Sequence, residues 1–149
     1  MPSIFNREDC QVFINRINAI TDSTKPLWGK MNATQVMGHC AVSFYMVMGK
    51  MRMKRGLIGL LFGKLAKKLI VSDKPFRKSS PTAKEFIMPD GKDFEEEKAK
   101  LIAAITDLNE KGPTAVKAGP HPFFGRLTLA EWDALICKHL NHHLEQFGV

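Results

Sequence analysis

The strongest constraint on the fold is a helical stripe near the end of the sequence. Its members recur at steps of three or four residues: Leu129, Trp132, Ile136, His139, His143 and Phe147. This spacing is typical of one buried face of an amphipathic helix. Thr128 and Glu131 form the capping-box pattern that starts such a helix. The sequence therefore predicts a helix that begins at Thr128, runs almost to the end of the chain and turns two histidines inward.

Three further segments show helical periodicity, over residues 5–20, 32–49 and 93–112. Asn32 and Asp93 are recognisable caps at the starts of the second and third segments, and Asn6 is the candidate start of the helix in the first. No strand-like alternation competes with these helices. Four long helices joined by one or two long crossovers indicate an all-α protein, a four-helix bundle. The length of 149 residues favours one domain, spanning residues 1–149.

The connection between the second and third of these helices is long and strongly basic. From Met51 to Lys84 the net charge is +9, with Asp73 as the one acid, so the remainder of the chain carries −2 of the total +7. A short amphipathic helix is predicted from Leu57 to Ile70. Its apolar face comprises Leu57, Ile58, Leu61, Phe62, Leu65 and Leu69, and the lysines that largely avoid this face are Lys64, Lys67 and Lys68. We expect the apolar face to pack on the bundle and the lysines to face water.

The basic 51–84 segment supports a second class of function, a non-catalytic helical binding or interaction module. Such a segment can lie on an anionic membrane or contact nucleic acid. Phe62 and Phe76 are its only aromatic rings, which are too few for a platform that stacks single-stranded bases. We expect the apolar face to be used within the bundle, so that neither nucleic acid nor a membrane is a partner.

The first residues of the sequence and the spacing of its cysteines favour a cytoplasmic protein. The first residues lack a basic start followed by an apolar run, and no apolar stretch approaches the roughly 18 residues of a membrane span. Cys10, Cys40 and Cys137 are widely separated and form no CxxC pair. We therefore expect reduced thiols and neither a disulfide framework nor a thiolate zinc site.

Three histidines on inward faces predict one divalent metal site. His139 and His143 are four residues apart, so their side chains are stacked one turn apart and differ by about 40° in direction. His39 lies on the inward stripe of the second helix, one turn before Ser43. Three imidazoles suit zinc, nickel, iron or copper, and they leave one coordination position open. The alternative is that each is a hydrogen-bonded histidine of the core.

Other polar residues near this stripe are weaker candidates. His142 is rotated by about 60° from His139 and by about 100° from His143, toward the edge of the stripe. His142 can support the ligands or contact substrate. His121 and Arg126 lie with two phenylalanines in the loop before the last helix. They either meet a substrate, or His121 caps a turn while a phenylalanine closes the end of the bundle.

Several motifs together resemble a known group of proteins. They are the stretch from Met31 to His39, the pair Glu131-Trp132, the run from His139 to Phe147, and the loop from His121 to Thr128. The chain resembles the DinB-like (YfiT-type) superfamily of metalloenzymes from Trp28 to Phe147, and one branch described only as a domain of unknown function. The resemblance implies a four-helix bundle, frequent homodimers and a metal held by His39, His139 and His143. Members with known activities include thiol S-transferases that use low-molecular-weight thiols.

A divalent ion on three histidines can activate either water or a thiol. The open position can lower the pKa of bound water toward about 7, or bind and ionise an incoming thiol. Hydrolysis calls for a general base, but Glu131 and Glu145 fall outside the inward stripe of the last helix. We therefore favour transfer of a low-molecular-weight thiol to a small-molecule substrate. The sequence names no catalytic residue beyond the ligands.

Overall fold

The computed structural model of the chain describes residues 1–54, 57–72, 74–80 and 84–149. For residues 57–60, 64 and 65 it describes the backbone alone. Two charges of the basic segment, Arg55 and Asp73, therefore lie outside the described residues. The side chains of Leu57, Ile58, Lys64 and Leu65, which were assigned to the faces of the amphipathic helix, lie outside them as well.

The described residues form five α-helices and two short 3-10 helices. The α-helices are α1 (Arg7–Ala19), α2 (Ala33–Val47), α3 (Leu57–Ile70), α4 (Phe94–Lys111) and α5 (Leu129–Gln146), and the 3-10 helices are Lys84–Phe86 and Gly112–Ala115. Across the described residues the β pairing is confined to an isolated bridge between His121 and Gly125. The prediction of an all-α protein is confirmed. None of the described helices is long and apolar enough to cross a membrane.

Helix starts follow the predicted caps. The Asn32 side chain accepts a hydrogen bond from the Gln35 N–H at 2.8 Å, and the Gln35 side chain accepts one from the Asn32 N–H at 3.0 Å. Thr128 and Glu131 make the same reciprocal pair at the start of α5. A side-chain cap of this kind typically stabilises a helix by about 1 kcal/mol. The predicted starts are confirmed because these contacts are local in sequence.

Helices α4 and α5 each pack against both α1 and α2, and α3 lies on α5. Core side chains from these helices are almost fully buried: Phe13, Ile17, Val36, Phe44, Val47, Leu101, Ile105, Leu108, Leu140 and Leu144. Since α2 and α5 are neighbours, the inward histidines of the two helices face each other across the core.

Helix α3 has the predicted bounds but not the predicted orientation. Leu61 is 77% exposed, Phe62 57% and Leu69 49%. The expectation that this apolar face packs on the other helices is therefore wrong for the three side chains that the structure describes.

Contacts on the opposite side of α3 explain this orientation. Gly63 approaches the Phe123 carbonyl so closely that a Cβ would overlap it. The Lys67 ammonium pairs with Glu131 at 3.0 Å and donates to the Arg126 carbonyl at 2.8 Å. Polar contacts and a close backbone approach, which apolar periodicity does not report, set the rotation of α3.

The close approach at Gly63 predicts an unusual result for the substitution Gly63→Ala. In an exposed helix this change stabilises by roughly 1 kcal/mol, because alanine is the better helix former. Here the methyl group would push α3 away from the Phe123 carbonyl, so we expect faster amide hydrogen exchange in α3 than in the parent protein. Slower exchange, at the level expected from helix propensity alone, would show that α3 does not dock through Gly63.

Candidate metal centre

The three predicted ligands come together between α2 and α5. Nε2 of His39 lies 3.0 Å from Nε2 of His139. One ring nitrogen from each of His39, His139 and His143 lies within 4.8 Å of the other two. His39 and His143 are only 5% and 9% exposed, whereas His139 is half-buried. The cluster is therefore in the core, with its accessible edge at His139.

The orientation of His39 is fixed by a backbone carbonyl. Its Nδ1 lies 3.0 Å from the carbonyl oxygen of Phe86, and the Phe86 ring packs on the imidazole at 5.6 Å between centroids. A carbonyl oxygen can only accept, so Nδ1 carries the proton and donates it. In neutral His39 the lone pair is then on Nε2, the nitrogen that faces His139.

The orientation of His143 is fixed by a short relay. Its Nδ1 lies 2.8 Å from Oε1 of Gln146, and Nε2 of Gln146 donates to the Trp28 carbonyl at 2.7 Å. The second contact determines which end of the amide faces the histidine, so Nδ1 of His143 donates. Gly29 has a φ of +82°, and a Cβ there would lie 2.5 Å from the same amide nitrogen. Glycine at this position therefore leaves room for the relay.

The hydrogen-bond partner of His139 is compatible with either neutral tautomer of its ring. Its Nδ1 lies 3.2 Å from the Ser43 hydroxyl, which can donate or accept. When the hydroxyl donates, Nε2 of His139 carries a proton and can donate it to His39. When the hydroxyl accepts, two lone pairs face each other at 3.0 Å, which is favourable only around a cation. The second tautomer is the one that a metal ion requires.

The spacing of the nitrogens fits a transition-metal ion. Two imidazole nitrogens bound at about 2.0 to 2.1 Å from a tetrahedral ion lie about 3.4 Å apart. The 3.0 Å separation of His39 and His139 is close to this value, and nitrogens at the 4.8 Å limit of the cluster would have to come about 1.4 Å closer to reach it. Among the described residues the cluster contains no carboxylate. An all-imidazole set favours zinc, nickel or iron over calcium or magnesium.

Burial keeps these histidines neutral. Desolvation lowers the pKa of His39 and His139, and it lowers the pKa of His143 to about 3. The positive charge that each ring would acquire repels the others and lowers the pKa values further. Since neutral imidazole is the form that binds metal, the site is in its binding state at neutral pH.

His142 lies at the edge of the cluster, as its rotation on the helix predicts. Its ring packs near His143 at 5.1 Å between centroids, and also near Trp28 at 5.9 Å and Phe76 at 6.2 Å. It is not a member of the group whose nitrogens converge. Phe76 belongs to the basic segment, and Phe86 follows that segment by two residues, so both of these contacts to the histidines come from the connection between α2 and α4.

His121 and Arg126 have other surroundings. Nδ1 of His121 accepts hydrogen bonds from the N–H groups of Phe123 and Phe124, both at 3.1 Å, so His121 caps a turn. Burial lowers its pKa to about 4, and its ring packs near Trp132. The Arg126 side chain is exposed. The described contacts bring neither residue into the histidine cluster.

The buried cysteines are not activated. Burial raises the pKa of the Cys10, Cys40 and Cys137 thiols, and all three are free. A thiol becomes a nucleophile through its thiolate, which these surroundings disfavour. Although Cys40 directly follows a proposed ligand, the chemistry of the site does not depend on it.

Sequence reasoning missed most of the groups that orient the ligands. Ser43 lies on the predicted inward stripe of α2, so its contact with His139 was within reach. Gln146 is three residues after His143, which is a spacing at which helical side chains meet. The contact with the Phe86 carbonyl could not be predicted from the sequence, because every residue has a backbone carbonyl.

The chain belongs to a family described as protein of unknown function (DUF1569), whose model matches residues 5–148. No curated protein and no solved structure matches the chain. The description of the family names no activity. The histidine cluster and its surroundings are therefore the features of the chain that indicate its function.

The relay through Gln146 predicts that metal affinity depends on a residue that is not a ligand. Replacing Gln146 by Ala should weaken metal binding by about 10 to 100-fold, because His143 loses the acceptor that holds its Nδ1. Competition with a chelator of known affinity measures the change. Gln11→Ala is the matched control, since the described hydrogen bond of the Gln11 side chain is to an exposed asparagine on α1. Equal affinities in the two variants would show that the relay does not orient the ligand.

The lowered pKa values predict acid sensitivity of the metal-free protein. An unfolded histidine titrates near 6.5, and the folded pKa values lie below this, so the unfolded chain binds more protons between the two. The contribution of these neutral histidines to the free energy of unfolding should be fully present above about pH 6.5. Below that pH the free energy of unfolding should fall by up to about 1.4 kcal/mol per pH unit for each histidine.

Urea unfolding of chelated protein between about pH 6.5 and pH 5 measures this slope. In the variant His143→Gln this slope should be smaller by the contribution of one histidine, since glutamine does not titrate. An unchanged slope would mean that His143 is protonated in the folded chain.

Proposed function

We propose that the protein is a metal-dependent enzyme of the DinB-like type, with one divalent ion on Nε2 of His39, His139 and His143. The observation that carries this proposal is the convergence of the three rings, each with its Nδ1 atom already paired. The 3.0 Å contact between Nε2 of His39 and Nε2 of His139 also suits a hydrogen bond between neutral rings, so the support for a metal comes from the third ring, His143, whose ligand nitrogen lies within 4.8 Å of the other two. Pairing of the far nitrogen is the usual arrangement around a metal-bound histidine.

The proposed architecture is a four-helix bundle of α1, α2, α4 and α5. The support is that α2 contacts both α4 and α5, and that α1 contacts the same two helices. Helix α3 is then an accessory element in the crossover between α2 and α4. Ligands from two neighbouring helices of a bundle give a rigid site, because the backbone of each helix is held by its own hydrogen bonds.

Three protein ligands leave one position for a reactant. The half-buried His139 marks the side from which a small molecule can enter. An ion bound here supplies Lewis acidity that lowers the pKa of a coordinated thiol or water molecule. The chain itself contributes orientation through Phe86, Ser43 and Gln146, and a largely dry surrounding that strengthens electrostatic effects.

Thiol transfer fits the surroundings better than hydrolysis does. The described cluster contains no carboxylate that could act as a general base. Glu131 is engaged by its cap and by Lys67, and Glu145 accepts from Asn141. The buried cysteines have raised pKa values, so the attacking sulfur comes from a low-molecular-weight thiol. That thiol releases its proton to solvent water, its sulfur forms a bond to an electrophilic carbon, and the bond from that carbon to the leaving group breaks, so that the leaving group departs with the electron pair.

The test of the metal site is elemental analysis of untagged protein together with three histidine variants. We expect about one equivalent of zinc, nickel or iron per chain. His139→Ala and His143→Ala should abolish it, whereas the matched control His142→Ala should keep at least partial occupancy. Circular dichroism of chelated protein should show intact helices, since the bundle has a large apolar core of its own.

Three outcomes would contradict parts of this proposal. Equal metal loss in all three variants would remove the ligand assignment, and collapse of the helices on chelation would make the ion structural. The third outcome concerns the reaction: metal-loaded protein that conjugates none of several natural thiols to electrophiles would remove the transferase activity while leaving the site in place.

A further inference from the structure

The outer face of α3 is an exposed apolar surface. It consists of Leu61, Phe62 and Leu69 on the helix and Val71 just beyond its end, which is 54% exposed. Phe62 and Leu69 are seven residues apart, so they lie on one line along the helix, and Leu61 is within about 100° of both. Apolar residues that cluster in this way mark an interaction surface more often than scattered ones do.

This face is held outward by contacts on the other side of the helix. Ile70 is fully buried, and Lys67 is bound to Glu131 and to the Arg126 carbonyl. Lys138 donates to the carbonyl oxygens of Leu69 and Ser72 at the end of α3. Rotating α3 about its axis to bury the outer face would break these contacts. The outer face is therefore available to a partner while α3 stays docked.

The charge around the outer face indicates the chemistry of that partner. Lys68 is exposed on α3 itself, and Lys74, Arg77 and Lys78 are exposed shortly after the helix ends. The whole segment from Met51 to Lys84 has a net charge of +9. A second copy of the chain that paired α3 with α3 would bring like charges together, because a two-fold interface uses the same surface twice. A negatively charged partner suits this segment better.

We propose that the outer face of α3 docks the protein on an anionic lipid surface. A helix with apolar residues on one side and lysines beside them is suited to lie in the plane of a membrane interface. With 14 residues, α3 is too short to cross a bilayer. The expectation that a membrane is no partner assumed that the apolar face is buried, which the described side chains contradict. This proposal does not depend on the metal centre.

The test measures binding of the full-length protein to vesicles by flotation. We expect binding to phosphatidylcholine vesicles that contain phosphatidylserine, and binding weaker by about tenfold or more to phosphatidylcholine alone or at high salt. Phe62→Ser should lower the affinity by about tenfold, because phenylalanine enters the interface. Lys68→Glu should weaken binding at low salt while leaving the apolar residues in place.

The matched control for Phe62→Ser is Val12→Ser on α1. Val12 is 54% exposed and Phe62 57%, so the two changes remove apolar side chains of similar exposure at different places. Val12→Ser should bind vesicles like the parent protein. Two results would overturn the proposal: no binding to anionic vesicles at all, or a parent protein that is dimeric in solution and becomes monomeric in Phe62→Ser. The second result would show that another copy of the chain covers the face.

Discussion

The proposed metal centre depends on three hydrogen bonds that point away from it. Each proposed ligand has its Nδ1 paired, with the Phe86 carbonyl, the Ser43 hydroxyl or the Gln146 amide. These contacts leave the Nε2 atoms as the nitrogens that meet in the core. Two of the three acceptors can only accept from the histidine, so the tautomers of His39 and His143 are fixed before any ligand arrives. These three groups orient the proposed ligands, although none of them would contact the ion.

The long basic connection has two roles in the structure. One part covers the histidine cluster, with the Phe86 carbonyl on His39 and the Phe76 ring beside His142. Another part forms α3, whose inner side is held by Lys67 and whose outer side exposes Leu61 and Phe62. The proposed binding surface on α3 and the proposed metal site at the histidine cluster are therefore neighbouring parts of one chain. They are compatible, since the described contacts of α3 and of the histidine cluster use different residues.

The sequence was a reliable guide wherever the controlling contacts are local. The caps at Asn32 and Thr128 involve residues within a few positions of one another, so their pattern predicts where the helices begin. The convergence of His39 and His139 was within reach for a related reason. Both lie on apolar stripes, and helices in a small core bury such stripes against each other.

The sequence by itself determined the helices, the inward faces of α1, α2, α4 and α5 except for Leu129, which is 43% exposed at the start of α5, and the three histidines that the structure brings together. Only the tertiary structure decided which way α3 turns, because an apolar stripe cannot report a competing salt bridge from Lys67 or a close backbone approach at Gly63. It also decided how the ligands are held, through a carbonyl at Phe86 and a relay from Gln146 to Trp28. Such contacts join residues that are far apart in the chain, and a backbone group looks the same at every position. Their effect exists only once the fold has brought the partners together.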